Sequence, residues 1–330
     1  MTILLAIIRA VHFGACLLPL SVFTTMLLVV NPSVDRIAGK AAGPPGVSGA
    51  AEHFHRQLRR LLAVCFVAVF ASGFLWLWFS IAGMSGSSLR ESLNADLFKM
   101  VLTQTRPGHV WILRAAIALL LAGAAIPASV ARRGFKTARP VLWLRTLLGA
   151  SLAGSLAWLG HAGAAEGPLA NIHLTADVLH LLSAAVWPGG LLPFAFLLRL
   201  LLKSREPALL GVLCLATRRF SSISLAAVGF LAGSGSVNSY FLVGNLHALF
   251  STEYGRLLLF KLGLFAAMAA IGAVNLLHFK PQLSGVPDRA AIDVAALKKI
   301  ARNVFVELCL ATVVLLVVGM LGITPPALHS

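Results

Sequence analysis

The chain has 330 residues, 58% of them hydrophobic and only 12% charged, with a mean hydropathy of +0.89. A soluble domain carries about 25% charged residues, so a water-soluble globule is excluded and lipid is the expected solvent. The formal net charge of +16 would suggest nucleic acid in a soluble protein. Here the basic residues lie in short loops between apolar runs, with no basic stripe interleaved with aromatics, so nucleic-acid binding is set aside in favour of membrane orientation.

Eight apolar runs are long enough to cross a hydrocarbon core of ~30 Å. They predict spans one to eight at 3–30, 59–82, 109–130, 141–161, 172–198, 220–243, 255–279 and 303–323. The first run lacks a basic leader and is too long for the apolar core of a cleaved signal, so it reads as a span. Between spans one and two, the Gly/Pro/Ala stretch from Gly39 to Ala51 reads as a flexible loop. After span two, Ser88 and Glu91 form a capping-box pattern. Leu89, Leu93, Leu97, Phe98, Val101 and Leu102 then recur at helical spacing up to Pro107, which predicts an amphipathic surface helix at about 88–105.

Loop charges set the orientation. Arg36, Lys40, Arg56, Arg59 and Arg60 precede span two, and Arg132, Arg133, Lys136 and Arg139 precede span four. Arg199, Lys203, Arg205, Arg218 and Arg219 precede span six, and Lys280, Arg289, Lys298, Lys299 and Arg302 precede span eight. The alternate loops hold only Arg90, Lys99 and Arg106. The positive-inside rule then places both termini outside. The four cysteines, Cys16, Cys65, Cys214 and Cys309, are far apart and read as packing residues; Cys16, in mid-helix, is also a candidate soft ligand.

An internal repeat is suggested by spans three and seven. Thr105-Arg106-Pro107-Gly108 with Arg114 parallels Thr252-Glu253-Tyr254-Gly255 with Lys261. Spans one and five match loosely through Arg9-x-x-His12 and Asp177-x-x-His180. The expected fold is therefore an all-α polytopic membrane protein of eight transmembrane helices, in two parallel four-helix halves, 1–161 and 172–323.

Ionisable groups inside a membrane are costly and point to function. His173, Asp177 and His180 share one face of span five at i, i+4 and i+7, with His161 closing span four and His12 inside span one. Imidazole is the commonest metal ligand, and a carboxylate ligates or orients it. These five residues are the candidate metal ligands. The alternative is a set of polar residues satisfied between helices, or a proton path. Arg9, Arg114 and Lys261 are supporting cations; Arg114 and Lys261 either snorkel to the outer interface or one of them partners Asp177. Trp187, Pro188, Gly189 and Gly190 interrupt span five as a packing kink or a hinge. His247 is a weaker candidate for entry, and His53, His55 and His278 for exit.

Together these residues resemble the CopD family of copper-resistance membrane proteins. The resemblance is carried by Arg9-x-x-His12, Gly160-His161-Ala162, Asp177-x-x-His180 with Trp187-x-Gly189-Gly190, and Arg219-Phe220-Ser221. It continues through Thr252-x-Tyr254-Gly255 with Lys261, Asn275, Arg302-x4-Glu307 and Pro325-Pro326, and is strongest over 218–326. Pro188, between the Trp and the Gly-Gly pair, departs from the pattern. The resemblance implies a copper-handling protein of the bacterial inner membrane rather than an enzyme, moving copper inward, with a separate periplasmic copper-binding partner of the CopC type. Two other readings stand beside it: a b-type haem redox protein with His12 and His180 as axial ligands, and a copper-binding scaffold or sensor that moves nothing.

Overall fold

A computed structural model describes residues 2–38, 47–125, 139–204, 206–283 and 294–329. Most of the Gly39–Ala51 loop and the cations Lys40, Arg132, Arg133, Lys136, Arg205 and Arg289 lie outside the described residues. The described residues form helices and no strands. Among the described residues eight helices are long and apolar enough to cross a membrane: Thr2–Ile37, Gly49–Ser85, Arg106–Ala125, Arg139–Leu159, Ala170–Leu202, Pro207–Val243, Glu253–Phe279 and Val294–Leu321. They are spans one to eight, in the predicted order.

Several spans run further than their apolar cores toward the face that carries the basic residues. Span two begins about ten residues earlier than the apolar run. Ala51, Phe54 and Leu58 recur at helical spacing there and are buried, while the charged residues between them face outward. Leu209, Leu213 and Ala216 extend span six in the same way, and Leu297, Ile300 and Val304 extend span eight. A helix needs only one apolar stripe outside the bilayer, whereas inside it must be apolar nearly all round.

The loop after span two corrects one expectation. Ser88 N–H and Oγ–H both donate to Glu91 Oε2, at 3.0 and 2.7 Å, and Glu91 N–H donates to Ser88 Oγ at 3.3 Å. These bonds hold the exposed Glu91 carboxyl below its usual range. The box closes a turn, however, and does not start the helix. The surface helix is Ala95–Gln104, begun by Asn94, whose Oδ1 accepts from Asp96 N–H at 2.8 Å. Asn at an N-cap satisfies an orphan amide as well as Ser does, and here it lies nearer the apolar stripe.

Span one is the most enclosed helix and packs on spans two, four and eight and on the middle of span five. Small residues permit these approaches, since apolar side chains gain nothing by leaving lipid and close contact must supply the attraction. A Cβ on Gly319 of span eight would lie 2.2 Å from the Ala6 carbonyl oxygen, and one on Gly149 of span four 3.1 Å from Leu20 Cα. Span five is interrupted where the sequence suggested. A π-helical turn, Ala185–Gly189, joins the helices Ala170–Ala184 and Leu191–Leu202. The wider turn accommodates the missing N–H of Pro188. A Cβ on Gly189 would lie 2.3 Å from Ser21 Oγ of span one, so the glycine serves close packing at this point.

Candidate functional site

Most of the ionisable residues inside the spans gather in two clusters at the end of the bundle opposite the basic face, while Arg145 and Glu307 lie outside both. The first is built on spans one, two and three, with Ser155 of span four. His12 is buried between Trp76 and Trp111, whose ring centroids lie 5.5 and 5.4 Å away. Arg114 donates from Nη2 to His12 Nε2 at 2.8 Å and to Cys16 Sγ at 3.3 Å, and from Nη1 to Ser155 Oγ at 2.7 Å. A guanidinium only donates, so His12 Nε2 is the acceptor and Nδ1 carries the proton. That proton goes to Ser72 Oγ at 3.0 Å, and the serine hydroxyl donates to the Ala68 carbonyl. Both ring nitrogens of His12 are therefore engaged. Arg9 stacks over Trp76 at 4.3 Å, so the cluster holds two cations and no acid. A cavity of about 250 Å³, walled by Phe70, Phe74, Leu77 and Ile112, reaches His12 and Arg114.

The second cluster is built on spans five, six and seven and the turn after span four. His180 Nδ1 lies 3.2 Å from Ser234 Oγ, whose hydroxyl donates to the Phe230 carbonyl at 2.5 Å. The serine proton is thus committed, and His180 must be the donor from Nδ1. The Leu231 carbonyl is a further hydrogen-bond partner of the ring, and with the proton on Nδ1 the Nε2 of the neutral imidazole keeps a lone pair. Asp177 Oδ1 accepts from Asn238 Nδ2 at 3.0 Å. Lys261 of span seven is the cation whose charge acts on Asp177 and His180, without a direct ion pair to the carboxylate among the described residues. A Cβ on Gly160 would lie 3.8 Å from Asp177 Oδ2, which places the Gly160-His161 turn beside the carboxylate. His161 meets Tyr254 edge-on at 6.2 Å, and His173 stacks on Phe241 at 4.8 Å. His12 and Arg114 are 1% and 2% exposed, whereas Asp177 and His180 are half-buried.

One set of contacts recurs in both clusters. The histidines bond Ser72 and Ser234, each followed by a glycine whose added Cβ would press on the imidazole Cε1, at 3.1 Å for Gly73 and 3.3 Å for Gly235. Arg9 on Trp76 occupies the place of Asp177 on Asn238, three residues before each histidine and four after each serine. Thr105 and Thr252 each accept from the glycine amide three residues on, Gly108 and Gly255, at 3.0 Å in both cases. The two Ser-Gly pairs were visible in the sequence; comparing spans two and six, as well as one with five, would have found them.

Of the five candidate ligands, His161, His173, Asp177 and His180 belong to the second cluster, and His12 has separate partners in the first. Among the described residues no three His, Cys, Asp or Glu side chains stand close enough together to hold a metal ion at once. His109 is exposed and bonds the Thr103 carbonyl, and His247 is exposed on the short helix Leu246–Ser251.

Eight spans among the described residues, with two histidine clusters at one end of the bundle, define a polytopic membrane protein. The chain belongs to the copper resistance protein D family. The family model described as copper resistance protein D-like, N-terminal domain, matches residues 1–171, and that of copper resistance protein D matches residues 215–321. Copper resistance protein D of Pseudomonas syringae pv. tomato is 32% identical over 251 residues, covering 75% of this chain and 77% of that protein. Copper transport protein CutJ of Bacillus subtilis (strain 168) is 32% identical over 238 residues, 71% of this chain but only 42% of CutJ. Inner membrane protein YebZ of Escherichia coli (strain K12) is 29% identical over 282 residues, covering 82% of this chain and 88% of YebZ. No solved structure matches the chain.

Proposed function

We propose that the protein carries copper across the bacterial inner membrane, from the periplasm to the cytoplasm, and that the second cluster is where the ion is received. The observation that supports this best is the anchored tautomer of His180. Ser234 takes the Nδ1 proton and leaves the Nε2 lone pair open, as a second-shell oxygen does for metal-binding histidines. Three residues earlier, Asp177 adds a carboxylate, and His173 and His161 continue the column toward the end of the bundle. His173 and His180 are separated by ~10 Å along the helix axis at 1.5 Å per residue. A column of donors that do not close round one point suits an ion that must leave again. Imidazole and carboxylate suit copper(II). The Lys261 charge beside Asp177 balances the site when empty and opposes tight retention when it is filled.

The first cluster is read differently. With Arg114 on His12 Nε2 and Arg9 in the position of the acid, it presents positive charge, and it takes no part in receiving the cation. The haem reading requires an open Nε2 on both histidines, which His12 does not offer. The shared contacts support two four-helix halves, 1–161 and 172–323, that arose from one unit and then diverged in charge. The basic face is assigned to the cytoplasm and both termini to the periplasm by the positive-inside rule. A separate periplasmic copper-binding protein is the partner that fits a receiving site open to that side.

The test is copper uptake by the purified full chain in liposomes, with the orientation fixed by protease accessibility of the loops. Copper accumulating from the side opposite the basic loops supports the reading. Binding without accumulation would make the protein a scaffold or sensor instead.

A further inference from the structure

A third polar group lies far from both clusters, toward the basic face. Glu307 of span eight is 2% exposed, and its Oε1 has no hydrogen-bond partner. It lines a cavity of about 120 Å³ below the span-five interruption, whose polar wall includes Thr217, Ser221 and Ser224 of span six, Asn275 of span seven and Lys280 just after it. Ser224 Oγ is likewise buried without a partner. The span-seven backbone comes close, since a Cβ on Gly272 would lie 3.5 Å from Glu307 Oε1. Asn275 is held in place by Asn303, which donates to its Oδ1 at 2.8 Å.

A buried carboxylate with an unused oxygen is costly unless something positive joins it. Lys280 is the charged group that shares the cavity. The other charges on the packed helices stand outside it: His278 on span seven, Arg218 and Arg219 on span six, Arg199 on span five, Lys298, Lys299 and Arg302 on Glu307's own helix, and Asp35 and Arg36 in the last turns of span one. The donors in the cavity are hydroxyl, amide and carboxylate oxygens, without sulfur or imidazole. Oxygen alone is a poor match for copper and a good one for a hard cation.

We propose that Glu307 is the site of a coupling ion, a proton or a sodium ion in its place, taken up from the basic face and exchanged against the movement of copper. The binding of that ion stands on the cavity by itself; its coupling to copper rests on the transport reading above. When a proton is the occupant, the carboxylate takes it up as a neutral acid and gives it back unchanged. The hydroxyls and Asn275 supply the shell for sodium.

Infrared difference spectra of the purified full chain in lipid test the site without copper. The expected result is the carbonyl band of a buried carboxylic acid that fades as pH is raised or as sodium is added, and that is missing in Glu307→Gln. A band that sodium removes at constant pH identifies sodium as the occupant, and one that only a rise in pH removes identifies the proton. A band unmoved by either, or one retained in Glu307→Gln, overturns the site. Copper uptake by liposomes under an imposed pH or sodium gradient tests the coupling. The wild type is expected to speed up several-fold and Glu307→Gln to ignore the gradient. Copper uptake that no gradient alters overturns the coupling while leaving transport intact. A titrating band in a protein that moves no copper overturns the transport reading while leaving the ion site.

Discussion

His180→Ala is expected to lower copper uptake by liposomes containing the protein about tenfold or more, the equivalent of about 1.4 kcal/mol of lost stabilisation. The variant removes the open Nε2 and strands the Ser234 hydroxyl that held the ring. Asp177→Asn is expected to act in the same direction, because it leaves the Lys261 charge unopposed where a cation must enter. His12→Ala provides the contrast. It removes an acceptor from the buried Arg114, and its expected effect is on stability, with the thermal transition falling and uptake per folded molecule nearly unchanged. A tenfold loss in His12→Ala with none in His180→Ala would reverse the assignment of the two clusters.

Gly319→Val is expected to destabilise the protein by about 3 kcal/mol, at the upper end of overpacking effects. The added Cβ meets the Ala6 carbonyl oxygen at 2.2 Å, and that oxygen belongs to the backbone of the helix on which most of the bundle packs. No rotamer relieves a clash with backbone, so span eight must move away from span one along this face. Gly263→Val is the control, because a Cβ there meets nothing within 4 Å. The measurement is the midpoint of thermal unfolding in detergent, followed by fluorescence of the six tryptophans. Equal midpoints for the two variants would mean that spans one and eight do not cross so closely.

The eight spans were legible because lipid demands long apolar runs, and a hydropathy count reads such runs directly. The helix ends were less so. Phe54 and Leu58 continue span two among charged neighbours, and only the burial of that stripe shows that the helix goes on. The Ser88–Glu91 pair formed its predicted bonds but closed a turn, since a capping pattern is local and which helix follows it is not. The residue types of the clusters were legible for the same reason as the spans: charge inside a membrane is conspicuous. Their grouping was not. His12 and His180 look alike in sequence, each with an ionisable residue three before it. What separates them is Arg114 reaching His12 Nε2 across 102 residues of chain, while His180 is held through Nδ1 by Ser234. That difference depends on side-chain reach and helix rotation, neither of which spacing along the chain encodes.

X-ray absorption on the copper-loaded full chain tests most directly whether the second cluster receives the ion. Nitrogen and oxygen neighbours with the outer-shell pattern of imidazole are expected in the wild type and in His12→Ala, with that pattern lost or reduced in His180→Ala. Identical copper spectra and copper content in His180→Ala and the wild type would contradict the account.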